Sequence, residues 1–117
     1  MGKSVLIVDD QPGIRMLLEE VIKNEGFHVL QATTGQEAID MVKHNLPDVM
    51  FVDLKLPIKD GYTVIRELEE EGHFIPTILM SGLAEEEIGK QNFSSVETMI
   101  SKPFNIQDIR ELVIQYL

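Results

Sequence analysis

The sequence predicts an α/β fold in which a doubly wound, five-stranded parallel sheet carries helices on both faces. Short apolar runs alternate with segments of helical period along all 117 residues. The runs VLIV, VMFV and TILM are continuously apolar, which is typical of parallel strands buried on both faces. Five strand–helix units in succession need right-handed crossovers, and these distribute the helices over both faces of one sheet.

The strands are predicted from the apolar runs and the polar or turn residues that bound them. They fall near Ser4–Asp9, Phe27–Gln31, Asp48–Asp53, Thr77–Ser81 and Val96–Ser101. The last run, VETMI, is more polar than the other four, and this favours a position at the edge of the sheet.

The helices are predicted from apolar periodicity and from their start signals. They fall near Pro12–Glu25, Gln36–Asn45, Tyr62–Glu71, Glu85–Gln91 and Ile106–Leu117. Pro12 suits the first turn of a helix, and Asp10 before it is a candidate N-cap. Thr34 and Glu37 have the spacing of a capping box, and Asn105 is a candidate N-cap for the last helix.

Composition narrows the class of protein. The apolar content of 44% and the charged content of 26% are those of an ordinary globule, and we expect one domain over residues 1–117. The net charge of -10 argues against direct nucleic-acid binding, which needs clustered Lys and Arg. No apolar stretch approaches the length of a membrane span, so membrane insertion is not expected. The absence of cysteine fits a cytoplasmic protein.

Chemically active side chains follow the predicted strands. Asp9 and Asp10 end the first strand, Asp53 the third, Ser81 the fourth, and Lys102 follows the fifth. Ligands of such folds bind beyond the carboxyl ends of the strands. Two carboxylates about 4 Å apart repel by roughly 4 kcal/mol at an effective dielectric constant of about 20, so such a cluster attracts a cation. Hard oxygen ligands, without cysteine or clustered histidine, favour Mg²⁺ over Zn²⁺.

The same side chains indicate phosphoryl chemistry. A carboxylate can attack phosphorus and form an acyl phosphate. Mg²⁺ and the point charge of Lys102 can neutralise the phosphoryl oxygens, and Ser81 can donate a hydrogen bond to them.

Four segments together resemble the receiver domain of bacterial two-component response regulators, the CheY-like family. They are IVDDQPGIR, VDLKLPIKDG, MSG and SKPF, each at the end of a predicted strand and in the family's order. The resemblance covers essentially the whole chain. It implies the flavodoxin-like (βα)5 fold with strand order 2-1-3-4-5.

The resemblance also implies a role for each acid. Asp53 would be the phosphoacceptor. Asp10 and Asp53 would bind Mg²⁺ together with the backbone carbonyl of Lys55, and Mn²⁺ would be a substitute. Asp9 would act largely through bound water.

The remaining site residues follow in the same way. Ser81 would be the switch hydroxyl, and Lys102 would pair first with the acceptor and then with the phosphate. The Lys102–Pro103 peptide resembles the family's cis peptide, which aims the lysine inward. Such a receiver is a signalling acceptor rather than an enzyme, with Mg²⁺-dependent self-phosphorylation and slow autodephosphorylation.

Within the family, DQPGIR and the SKPFNIQDIR ending resemble the single-domain, sporulation-type phosphorelay receiver. The partner implied is a histidine kinase, a histidine phosphotransferase or both. The surface that docks its histidine-bearing helical bundle would consist of Gln11, Gly13, Ile14, Leu17, Pro103 and Phe104.

The sequence departs from the family around its signalling switch. Met99 stands where receivers usually have Tyr, Phe or His, and Ser81-Gly82 replaces the usual Thr-Ala. We therefore expect an intact acceptor site, an altered aromatic switch, and an output that depends on docking around the mouth of the site.

Other interpretations remain open. The chain could be an interaction module that signals without phosphorylation, or a receiver cut from a longer regulator. A flavin binder would need amide donors after the first strand instead of carboxylates. An aspartate-based phosphatase would need an acid at position 55, which is Lys. Taken singly, Asp10 could be a helix cap, Lys102 a surface residue, Asp53 or Ser81 a turn residue, and Gly61 is expected to form a backbone turn.

Overall fold

The computed structural model describes residues 2–82 and 93–117, and within them five parallel strands form one sheet in the order β2-β1-β3-β4-β5. The strands are β1 Ser4–Val8, β2 His28–Ala32, β3 Val49–Asp53, β4 Thr77–Ser81 and β5 Val96–Ser101. The predicted fold and strand order are confirmed, and the polar strand β5 lies at an edge as expected.

The helices in the described ranges are α1 Pro12–Asn24, α2 Gly35–His44, α3 Gly61–Glu70 and α4 Ile106–Tyr116. The helix predicted near Glu85–Gln91 lies outside the described residues. Of the helices that are described, none is long and apolar enough to cross a membrane.

The core consists of two apolar layers, one on each face of the sheet. Successive residues of a strand point to opposite faces. Leu6 and Val8 therefore pack toward α2 and α3, whereas Val5 and Ile7 pack toward α1 and α4. All four side chains are fully buried, and each contributes about 1.5–3 kcal/mol of hydrophobic stabilisation. Burial on both faces explains the continuous apolar runs of the central strands.

Of the three predicted helix caps, Asn105 is confirmed, the Thr34 capping box is formed only in part, and Asp10 is wrong. Thr34 accepts a hydrogen bond from the Glu37 N–H at 3.1 Å, although the Glu37 carboxylate bonds to the N–H of Thr33, one residue earlier than a capping box requires. Asn105 heads a complete capping box.

Helix α1 begins at Pro12 as predicted, but its cap departs from the prediction. Its N-cap position is occupied by Gln11 without a side-chain capping bond. The N-cap interpretation of Asp10 is therefore wrong, and its exposed carboxylate remains available to the cluster at the strand ends.

Gly61 also differs from the prediction, because it is the first residue of α3 rather than a turn with positive φ. A Cβ at this position would lie 2.6 Å from the carbonyl oxygen of Asp53 and 3.0 Å from the Cα of Leu54. The Gly61 N–H donates to the Leu54 carbonyl at 2.9 Å. Glycine is needed here because α3 begins in direct contact with the end of β3.

Candidate functional site

Three carboxylates meet at the carboxyl edge of the sheet because β1 and β3 are neighbours. Asp9, Asp10 and Asp53 each offer an oxygen, and these oxygens lie within 4.8 Å of one another. Asp9 is fully buried, Asp53 is 6% exposed and Asp10 is exposed. The cluster predicted from the strand ends is therefore present, and at this spacing its charges repel strongly unless a cation is bound.

Lys102 reaches into this cluster from the end of β5. Its Nζ lies 2.8 Å from Asp9 Oδ2 and 3.4 Å from Asp53 Oδ2, and it donates to Gln11 Oε1 at 3.2 Å. The Lys102–Pro103 peptide is cis, as the resemblance implied. The Lys102 N–H donates to the Ser81 carbonyl at 2.8 Å, which ties the lysine to the end of β4. The lysine thus bridges two of the three acids.

Every polar group of Asp9 has a partner. Its N–H donates to the Ala32 carbonyl at 3.1 Å, and its own carbonyl accepts from Arg15 Nη1 at 2.9 Å. Its Oδ1 accepts from the Gln11 N–H at 2.8 Å, while Oδ2 pairs with Lys102. Asp10, by contrast, makes no hydrogen bond or ion pair with the part of the chain that is described. This difference favours Asp10 over Asp9 as a direct metal ligand.

A polar chain behind Asp9 was not found from the sequence. Arg15 Nε donates to Gln31 Oε1 at 3.1 Å, and Gln31 Nε2 donates to Glu19 Oε2 at 2.5 Å. Arg15 is thereby held against the Asp9 carbonyl. The available signal was Gln31, a polar residue in the strand HVLQA, opposite the helix that carries Arg15 and Glu19 at i and i+4.

The environment of Asp53 makes its carboxyl group harder to ionise than that of an ordinary aspartate. Burial raises the pKa of its carboxyl group, and the nearby charge of Asp9 raises this pKa further. Lys102 and a hydrogen bond from the Lys55 backbone lower the pKa without cancelling the increase. A bound cation would favour the carboxylate, which is the form that can act as a nucleophile.

These groups surround a cavity of about 340 Å³, which can hold a hydrated ion and a phosphoryl group, since one water occupies about 30 Å³ in the liquid. It is lined by Asp10, Gln11, Asp53, Lys55, Ser81, Gly82 and Lys102. Ser81 is buried at the end of β4, as its predicted position requires. The residues predicted to take part in phosphoryl transfer or to bind the metal directly therefore line the same cavity. They are Asp10, Asp53, Lys55, Ser81 and Lys102.

The predicted docking residues divide into two groups. Gln11, Gly13 and Pro103 are exposed. Ile14, Leu17 and Phe104 are half-buried and pack against the core layer between the sheet and α1 and α4. Met99, at the altered switch position, is half-buried against the opposite layer.

Comparisons with known proteins agree with this geometry. The family model described as the response regulator receiver domain matches residues 5–114. Sporulation initiation phosphotransferase F of Bacillus subtilis is 37% identical over 118 residues, covering 100% of this chain and 95% of the relative. Chemotaxis protein CheY of Halobacterium salinarum is 30% identical, covering 100% and 98% of the two chains.

A solved structure shares the fold. The receiver domain of the sensor histidine kinase PA1611 from Pseudomonas aeruginosa, described with a magnesium ion coordinated in its active-site cleft, matches with a TM-score of 0.86. It is 23% identical, and the match covers 99% of this chain and 98% of that one. The family match over most of the length, together with the two full-length relatives, shows that this chain belongs to the response regulator receiver domain family.

Proposed function

We propose that Asp53 accepts a phosphoryl group from a phosphohistidine of a partner protein in a Mg²⁺-dependent reaction, and that the chain then relays this group or binds a target. The observation that carries the proposal is the convergence of Asp10, Asp53 and Lys102 around one cavity, with the buried Asp9 paired to Lys102. The partner would be a histidine kinase, a histidine phosphotransferase or both. Because kinases draw the phosphoryl group from ATP, this role implies a cytoplasmic location.

Asp53 is suited to act as the nucleophile. One of its carboxylate oxygens would form the new P–O bond as the P–N bond to imidazole breaks and its electron pair returns to the ring. Lys102 Nζ, 3.4 Å from Asp53 Oδ2, lies where it can stabilise the charge on the phosphoryl oxygens. The Ser81 hydroxyl lines the same cavity and can donate a hydrogen bond to the product.

The donor set suits a hard divalent cation. Asp10 and Asp53 would hold it with the backbone carbonyl of Lys55, and Mn²⁺ uses the same oxygen ligands. When bound, Mg²⁺ would neutralise charge on the transferring group. Asp9 would stay paired with Lys102 and would act on the metal through bound water. The chain would act as a signalling acceptor that loses its phosphoryl group slowly to water, rather than as an enzyme with turnover.

Phosphorylation by acetyl phosphate tests the proposal. With Mg²⁺, we expect intact-mass measurement to show one added phosphoryl group on the wild type and none on Asp53→Asn, because the carboxamide is a poor nucleophile. Asp40→Asn, which changes an exposed carboxylate on α2, should be labelled like the wild type. Full incorporation into Asp53→Asn would exclude the assignment.

A phosphorylation-independent interaction module is the second candidate. Met99, half-buried at the position where receivers usually have an aromatic residue, is the observation that favours it. Its expected signature is an unchanged mass after phosphodonor treatment.

A further inference from the structure

The peptide bond between Asp9 and Asp10 joins two of the three acids of the cluster. Its carbonyl oxygen, which belongs to Asp9, accepts a hydrogen bond from Arg15 Nη1 at 2.9 Å. On one side of this peptide the Asp9 N–H donates to the Ala32 carbonyl, and on the other side the Gln11 N–H donates to Asp9 Oδ1 at 2.8 Å. The Arg15 side chain therefore fixes the orientation of a peptide whose two flanks are also anchored.

The position of the Asp10 carboxylate depends on this backbone. The carboxylate is exposed and makes no hydrogen bond or ion pair to any residue in the ranges 2–82 and 93–117. One of its oxygens nevertheless lies within 4.8 Å of carboxylate oxygens of Asp9 and Asp53. Because no side-chain partner holds it there, a rotation of the peptide before Asp10 would carry its carboxylate away from the cluster.

Arg15 is itself held in one orientation. Its Nε donates to Gln31 Oε1 at 3.1 Å while Nη1 donates to the Asp9 carbonyl, so two hydrogen bonds fix the planar guanidinium group. Gln31 Nε2 donates in turn to Glu19 Oε2 at 2.5 Å. An arginine can only donate and a carboxylate can only accept, so one orientation of the Gln31 amide satisfies both neighbours. We call Arg15, Gln31 and Glu19 together the Arg15 clamp.

The charge of Arg15 does not explain its place beside the cluster. A positive side chain near a site for a divalent cation repels that cation. The clamp includes Glu19, which offsets part of the positive charge through Gln31. What the guanidinium group adds is the pair of directed hydrogen bonds, because its planar array of donors reaches a backbone carbonyl and a side-chain amide at once.

We propose that Arg15 is a positioning residue for the metal site, and that Gln31 and Glu19 keep it in place. The Arg15 clamp fixes the peptide between Asp9 and Asp10 and so holds the Asp10 carboxylate where it can share a cation with Asp53. The inference rests on the proposed function, because it concerns the metal that phosphoryl transfer would need. Groups that orient metal ligands without binding the metal typically change its affinity by about 10–100-fold when they are replaced.

Four variants separate the geometry of the clamp from its charge. Arg15→Met removes the clamp and the positive charge, whereas Gln31→Met breaks the clamp and leaves the arginine. The double variant Glu19→Gln/Gln31→Glu exchanges acid and amide, so both hydrogen bonds and the net charge are kept. Arg110→Met is the matched control, because Arg110 is also a half-buried arginine but pairs with Glu25 beyond the end of α1.

The probe is Mn²⁺, titrated into the protein without a phosphodonor while electron paramagnetic resonance measures the free ion. We expect Arg15→Met and Gln31→Met to bind Mn²⁺ about tenfold more weakly than the wild type. The double variant and Arg110→Met should bind it within about twofold of the wild type. Circular dichroism checks that each variant is folded at the titration temperature. If Arg15→Met is not, Gln31→Met and the double variant carry the comparison.

Labelling by acetyl phosphate gives a second readout. For Gln31→Met, the Mg²⁺ concentration that gives half the maximal labelling rate should rise about tenfold, while the rate at saturating Mg²⁺ stays within about twofold of the wild type. This is expected because the clamp acts on the metal's affinity and touches neither the phosphodonor nor Asp53. A lower rate at saturating Mg²⁺ with an unchanged half-maximal concentration would contradict a positioning role.

The sign of the effect on Mn²⁺ binding decides between geometry and charge. Tighter binding by Arg15→Met, with Gln31→Met like the wild type, would show that Arg15 acts only by repelling the cation. Wild-type affinity in both single variants would show that Asp10 is held without the clamp. Binding by the double variant as weak as that of Gln31→Met would exclude the hydrogen-bond chain as the cause. An equal loss in Arg110→Met would assign the effect to a general loss of stability.

The wild type distinguishes failure of this inference from failure of the proposed function. If it binds Mn²⁺ at one site and is labelled by acetyl phosphate while the clamp variants match it, the positioning role of Arg15 fails and the phosphoacceptor role stands. If the wild type neither binds Mn²⁺ at a defined site nor is labelled, the proposed function itself fails.

Discussion

The surroundings of Asp53 disfavour the ionised form of its carboxyl group, and a bound cation would offset this effect. Burial and the charge of Asp9 raise the pKa of its carboxyl group in the folded chain. A carboxyl with a raised folded pKa contributes stability below its ordinary pKa and loses that contribution as pH rises through the folded value. Ionisation of Asp53 should therefore destabilise the metal-free protein as pH rises from the ordinary pKa of an aspartate through the raised folded value.

Asp53→Asn should remove this destabilisation. In the presence of a chelator, we expect the variant to be more stable than the wild type at neutral pH and to have the higher melting temperature, and we expect the difference to shrink toward pH 4. Thermal unfolding across this pH range measures it, with Asp40→Asn as the exposed control. A difference that is constant with pH would contradict the raised pKa.

Site residues could be predicted from the sequence where the topology alone brings them together. Asp9, Asp53 and Lys102 each lie at the carboxyl end of a parallel strand, so the strand order implied by the family resemblance places them on the same side of the sheet. The bond from Arg15 to the Asp9 carbonyl depends on how one long side chain lies against a backbone group, and no spacing rule indicates it. The positive φ of Ile58 could not be predicted either, because β-branched residues rarely adopt positive φ.

Helix α3 begins in direct backbone contact with Asp53, at Gly61. Gly61→Ala should destabilise the protein by about 1–3 kcal/mol, because the new Cβ would lie 2.6 Å from the Asp53 carbonyl oxygen and must displace backbone. Gly13→Ala is the matched control, since a Cβ there meets nothing within 4 Å and alanine favours the helix by about 0.5–1 kcal/mol.

Urea unfolding of both glycine variants measures this effect. Equal midpoints for Gly61→Ala and Gly13→Ala would show that the backbone contact between β3 and α3 accommodates the new Cβ without loss of stability. A midpoint below the wild type for Gly61→Ala alone would support the close contact.

Within residues 2–82 and 93–117, element boundaries were predictable to about one residue, and the success or failure of each predicted cap has a local cause. Thr34 and Asn105 cap their helices because their short side chains reach the N–H three residues on. Asp10 has the same capacity but sits one residue too early, since α1 begins at Pro12 after Gln11. The sequence does not decide the role of Gly61, because glycine serves both positive φ and close backbone approach, and only the contact distance distinguishes the two.

For the whole molecule, the sheet was predicted from the alternation of apolar runs and helical segments, whereas the strand order came only from the family resemblance. Local pattern does not encode which strands pair, because β1, β3 and β4 are all apolar on both faces. The division of the core into two layers follows once the order is known.

Metal binding should change the stability of the entire fold. A cation that binds only the folded chain stabilises it by about 2.7 kcal/mol at a concentration 100 times its dissociation constant. We expect Mg²⁺ to raise the melting temperature of the wild type progressively and a chelator to reverse the rise. Asp10→Asn should respond much less, because it removes an exposed carboxylate of the cluster.

The matched control for this titration is Asp48→Asn. Asp48 is an exposed carboxylate that accepts a hydrogen bond from the Ser4 N–H, at the start of β1 and away from the cluster. An equal response of Asp10→Asn and Asp48→Asn to Mg²⁺ would mean that the ion acts through the overall charge of -10 rather than through a defined site.

The absence of a side chain at residue 61 has a mechanical consequence. The main chain of the acceptor residue and the first turn of α3 touch with no deformable group between them. Under the proposed function, rotamer changes could therefore not absorb a shift of the end of β3 if a phosphoryl group were attached to Asp53. Such a shift would reach the helix as rigid-body movement, so α3 itself would report the chemical state of Asp53 to the outer surface.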